Sequence, residues 1–114
     1  GFGGGGFDRD DFQVDRLAVK LELTDAQIQQ IESIAVRRRQ QIRPLIREMM
    51  GVKKEIRGLI SGDVFDESAL REALAPKQAL MTDLILNRVA WYFEVKSVLT
   101  PEQRKRFYEL RRRL

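Results

Sequence analysis

Residues 24–60 read TDAQIQQIESIAVRRRQQIRPLIREMMGVKKEIRGLI, and the spacing of their apolar side chains decides the fold. Ile28, Ala35, Ile42, Met49 and Ile56 recur every seven residues. Ile31, Leu45, Val52 and Leu59 hold a second position of the same repeat, in which Arg38 is the misfit. Alternating steps of three and four put both sets on one narrow seam of a single helix, as in coiled-coil packing. At 1.5 Å per residue that helix is ~50 Å long, more than one compact domain of this size needs. A second long helix must cover the seam, from the same chain or from another copy.

The stretch begins at a capping signal. In Leu23-Thr24-Asp25-Ala26-Gln27 the Thr24 hydroxyl can accept from the backbone N–H three residues on, while Gln27 reaches back to the Thr24 N–H. Leu23 and Ile28 are placed to form the accompanying hydrophobic staple. The box returns at Leu99-Thr100-Pro101-Glu102-Gln103, with Pro101 at the first helical position, where its missing N–H costs nothing. Pro44 predicts a bend in the long helix without ending it, because the seam continues past it. Ser61-Gly62-Asp63 ends the helix, and Asp66 is a suitable N-cap for the next.

That second long helix is expected from Glu67 to about Val98, with Leu70, Leu74, Met81, Leu84, Trp91, Val95 and Val98 on its seam. Lys77 and Arg88 interrupt the series, and Pro76 predicts another bend. A short turn between two long helices makes them antiparallel neighbours. A short amphipathic helix is expected from Asp10 to Lys20, and a last one from Pro101 carries Phe107, Leu110 and Leu114. The fold class is therefore all-α: a long antiparallel helical hairpin with short N- and C-terminal helices. Residues 1–9 form a glycine-rich segment expected to be flexible, and 10–114 a single domain.

Composition narrows the functions. The chain has 114 residues, 43% hydrophobic and 33% charged, with neither Cys nor His. Disulfides, thiol chemistry, the usual zinc sites and imidazole catalysis all lack their side chains. Paired catalytic carboxylates, an activated nucleophile and a phosphate-cradling loop are absent as patterns, so no enzyme and no cofactor is expected. No apolar run is long enough to insert in a membrane. Asp8, Asp10, Asp11 and Asp15 lack calcium-loop spacing. Met49, Met50 and Met81 are soft thioethers, but Met49 and Met81 fall on seams, where packing is expected. The net charge of +4 is uneven: Ile28 to Ile60 carries eight basic and three acidic residues, and Pro101 to Leu114 six and two.

The two Leu-Thr-x-x-Gln boxes, in order at the starts of the long helix and the last helix, resemble the LTxxQ family of periplasmic proteins typified by Spy and CpxP. LELTDAQIQQIESI (21–34), the Asp63-Val64-Phe65-Asp66 turn and VLTPEQRKRF (98–107) share the likeness, which covers the chain from Leu21 onward. The resemblance implies an elongated, cradle-like homodimer in the bacterial periplasm. It implies an ATP-independent chaperone or envelope-stress modulator, with unfolded or misfolded envelope proteins as clients and a sensor-kinase periplasmic domain as a further candidate partner. Related ZraP- and CnrX-type proteins bind metals, so a metal-resistance or metal-sensing role is the alternative. This chain departs from them in having no His or Cys, and no metal-ligating residues are assigned.

Opposite the seam, Arg43, Arg47, Met50, Lys54 and Arg57 recur at steps of four, three, four and three. Cations interrupted by a thioether suit acidic and apolar segments of unfolded protein; the same pattern also describes a solvated helix back. Nucleic-acid binding through this helix and the Arg-rich tail is electrostatically open but lacks aromatic stacking platforms. Arg38, lying in the seam, should pair with a carboxylate across the hairpin or mark where the seam opens. Trp91 fits the core, while Tyr92 and Phe93 point elsewhere and could form a dimer or client patch. Leu23, Thr24, Gln27, Leu99, Thr100 and Gln103 are assigned as structural caps.

Overall fold

The computed structural model describes residues 14–112. Four helices lie among them: α1 (Val14–Leu21), α2 (Asp25–Ile60), α3 (Glu67–Val98) and α4 (Pro101–Arg112). No strand occurs among the described residues. Both long helices have the expected ends and run on through Pro44 and Pro76. The expected beginning of the first helix, Asp10 to Gln13, falls outside the described residues, as do the Gly-rich segment and Leu114.

Local chemistry explains each boundary. At the end of α1 the Leu23 N–H donates to the Ala18 carbonyl at 3.1 Å, six residues closing on one another around Glu22 at φ 54°. That is a Schellman stop with a glutamate where glycine is usual. A left-handed non-glycine residue costs about 1 kcal/mol, and Glu22 has another use: its carboxylate accepts from Arg106 of α4 at 2.7 Å. Thr24 and Thr100 cap α2 and α4 as the boxes predict, each hydroxyl accepting from the glutamine N–H at 3.2 and 3.3 Å. Asp66 caps α3 through Oδ1, which accepts the Ala69 N–H at 3.0 Å.

Contacts divide the chain into two compact units, Gly1–Arg39 with Arg88–Leu114, and Gln40–Asn87. In the first, Val14 and Leu21 of α1, Ile31 and Ala35 of α2, Trp91 and Val95 of α3, Leu99, and Phe107 of α4 form one buried cluster, with Leu23 and Ile28 packed against it. Each fully buried large side chain contributes about 1.5–3 kcal/mol by leaving water. Phe107 meets the edge of Trp91 at 5.9 Å between centroids and stacks on Tyr92 at 4.8 Å. Tyr92 therefore turns toward α4 and joins the core margin, correcting the expectation that it leaves the core with Phe93. Phe93 does stay exposed, with the Lys96 ammonium 4.6 Å from its ring centre.

Arg38, the seam's misfit, is resolved in the same unit. Its guanidinium and that of Arg37 both donate to Glu94 of α3. Partial burial pushes the Glu94 carboxyl up, but the two arginines outweigh it and hold the group below the ordinary carboxylate range. A carboxyl depressed on folding adds stability that is fully present above its unfolded value near 4.5 and is lost as pH falls through the folded value. Glu94→Gln should therefore flatten the acid side of the stability profile. At neutral pH it should cost about 2 kcal/mol, as expected for a charged hydrogen bond lost at a largely covered arginine. Urea unfolding between pH 3 and 7 measures both effects.

In the second unit Ile42, Met49 and Val52 of α2 are buried, and so are Ala73, Leu80 and Leu84 of α3. Asn87 donates to the Gln41 side chain at 3.5 Å. The α2 seam is the expected one, and on α3 Leu84, Trp91 and Val95 are buried as expected, but Leu74 and Met81 are not. Leu74 and Met81 are 38% and 42% exposed, while Ala73 and Leu80 take the interior. Stepping back from Leu84 by three or by four gives two apolar series on adjoining flanks of one helix, and only one flank can face α2. Leu74 and Met81 instead line an open groove of about 790 Å³ with Ile85 and Arg71.

Gly51 and Gly58 sit inside α2 on its exposed side, and a Cβ at either would meet no atom within 4 Å. Packing among the described residues does not require them, although a helical glycine is about 1 kcal/mol less stable than alanine. Gly58→Ala should raise stability by roughly that amount in chemical unfolding.

Candidate functional site

The two motifs meet. Gln27 and Gln103, 76 positions apart, pair their side-chain amides face to face: Gln27 Nε2 donates to Gln103 Oε1 at 2.8 Å and Gln103 Nε2 to Gln27 Oε1 at 3.2 Å. Each oxygen also accepts its own threonine's N–H at 3.0 Å. Each nitrogen has a second acceptor at 3.1 Å, the Val98 carbonyl for Gln27 and the Leu21 carbonyl for Gln103. Both amides thus use two donors and two acceptors, the full useful capacity of a glutamine. Spacing revealed the caps, which glutamate could serve equally well. It did not reveal the pairing, which requires a donor and an acceptor on the same side chain.

The second constellation is the strip on α2. Arg43, Arg47, Met50, Lys54 and Arg57 are all exposed, Met50 at 63%. All five belong to the second unit. None of the four cations makes an ion pair with another described residue. Glu48 and Glu55 share the helix without neutralising them. Lys53, which the stripe omits, lines a shallow groove of about 420 Å³ with Met50, Gly51, Lys54 and Arg57. Its three-residue spacing from Met50 was the available signal. Arg37 and Arg38, by contrast, are engaged with Glu94.

Chemically, the strip offers long-range attraction to negative charge, apolar contact from arginine and lysine stems, and one adaptable thioether. Among the described residues no three His, Cys, Asp or Glu side chains gather around a point that could hold a metal ion. No helix among them is long and apolar enough to cross a membrane.

Paired Leu-Thr-x-x-Gln caps at the starts of α2 and α4 of an all-helical chain define the class, and comparison agrees. The family model described as LTXXQ motif family protein matches residues 9–111, and the chain belongs to that family. No solved structure matches it.

Proposed function

We propose that this chain is a periplasmic, ATP-independent chaperone or envelope-stress modulator that holds nonnative protein on the outer strip of α2. The observation that carries this reading is the exposure of Arg43, Arg47, Lys54 and Arg57 around Met50 with no ion pair to another described residue. Cations spaced along one helix face repel one another, and no carboxylate among the described residues offsets that cost. An external negative partner does. Acidic client segments are drawn in over about a Debye length, ~10 Å at 0.1 M salt. Stems and thioether then contact apolar side chains without demanding a sequence. Redundant weak contacts of this kind need neither a nucleotide nor a catalytic group, and the reading assigns no enzyme activity. Family membership supports the extracytoplasmic placement, and a second copy is the proposed structural partner.

The test is light scattering of a thermally denatured acidic client. Equimolar protein should suppress the signal, and raising salt from about 50 to 300 mM should weaken the effect as the Debye length shortens. Arg47→Glu with Lys54→Glu, both at exposed positions, should lower suppression at least about fivefold, since roughly 1 kcal/mol of binding is at stake. An unchanged scattering trace with wild-type protein, or equal suppression by the double variant, removes the reading.

A further inference from the structure

The most exposed large apolar side chains of the second unit gather at its turn. Ile60 is 72% exposed, Val64 78% and Phe65 75%. Asp63 and Asp66 flank the last two, and Asp63 makes no ion pair with another described residue. This is an exposed apolar knob flanked in sequence by two carboxylates. The same unit carries its complement: the Met50-Gly51 groove rimmed by Lys53, Lys54 and Arg57. Charge divides in the same sense, with five basic and two acidic residues from 40 to 60 and two basic and five acidic from 61 to 87.

We propose that the Asp63–Asp66 turn of one copy docks into the Met50–Arg57 groove of a second copy, covering the cationic strip. Val64 and Phe65 lie against Met50 and the bare backbone at Gly51, and the flanking carboxylates meet the lysines. Knob and groove are about ten residues apart, roughly 15 Å along a helix, so a two-fold pairing lets each tip reach the other's groove. Gly58 lies between them in sequence. The open space at Gly51 and Gly58 is what a close approach from outside the chain needs, and no described residue fills it. Opposite charges fix the register and favour encounter. Client and second copy then compete for one surface, which makes the contact a storage state of the chaperone. The inference rests on the client reading for that role alone; the docking itself does not.

Sedimentation velocity without client tests it, over about 1–200 µM at low and at moderate salt. Wild-type protein should self-associate, less so in the higher salt. Phe65→Asp and Gly51→Leu should each weaken association at least about tenfold, one destroying the knob and the other filling the groove, with helicity checked by circular dichroism. Lys53→Glu with Lys54→Glu should weaken it similarly, and adding Asp63→Lys should recover much of the loss. A monomer throughout, or association that these variants leave unchanged, overturns the proposal. With no client present, that failure leaves the client reading standing, whereas loss of aggregation suppression alone would leave the docking standing.

Discussion

Gln103→Glu should lower the unfolding free energy by about 3 kcal/mol at neutral pH, although the change looks conservative for a capping position. The carboxylate can still accept the Thr100 N–H, so the cap on α4 survives. It can no longer donate. The Leu21 carbonyl and Gln27 Oε1, now served by Gln103 Nε2, would face a negative oxygen in a partly covered site. Losing a hydrogen bond there costs about 1 kcal/mol, and holding an anion against acceptors costs more. Repulsion and desolvation both raise the carboxyl's folded pKa. Protonation below that value restores the donor, so the penalty shrinks as pH falls. Gln103→Ala should lose stability without this pH dependence, and a cycle with Gln27→Ala isolates the amide–amide coupling. Urea unfolding at pH 4.5 and 7.5 reads wild type, Gln103→Glu, the two alanine variants and their double variant. Equal midpoints for Gln103→Glu and wild type would show the pairing to be energetically idle.

Phe107→Ala is expected to be the costliest single truncation, about 4 kcal/mol, within the usual range for a buried phenylalanine. The ring is fully buried and touches both aromatic neighbours, the edge of Trp91 and the face of Tyr92. It is the buried residue of α4, so its removal also strips the reason for that helix to lie on the cluster. Leu110 at the cluster's margin, the Arg106–Glu22 pair and the glutamine pair would then be left to hold α4. Thermal unfolding followed by circular dichroism should show a large drop in midpoint. Tyr108→Ala, one position along and exposed, should change it little.

Much of the architecture is legible in the sequence because the signals are local. The Thr24 and Thr100 boxes, Asp66 and Pro101 each act within one turn of helix, and the structure uses them where the spacing puts them. The α2 seam is legible for the same reason, since most positions flanking it, Glu32, Arg39, Gln41, Glu48, Lys53 and Glu55, are polar or charged. On α3, Leu74 and Met81 compete with Ala73 and Leu80, and hydrophobicity cannot rank a small side chain against a large one on the neighbouring flank. The Gln27–Gln103 pairing joins residues 76 positions apart, and no periodicity carries such information. At the site, the stripe from Arg43 to Arg57 follows from helical spacing. That its cations make no ion pair among the described residues depends on where the other carboxylates lie.

The chain contains one tryptophan, Trp91, and it lies in the first unit, edge-on to Phe107. Its emission therefore watches one half of the molecule, while residues 40–87 melt without an optical signature of their own. Ellipticity at 222 nm counts helix in both halves. If the halves lose structure independently, the two signals will trace separate curves during one titration, and a single transition fitted to either would describe only part of the molecule.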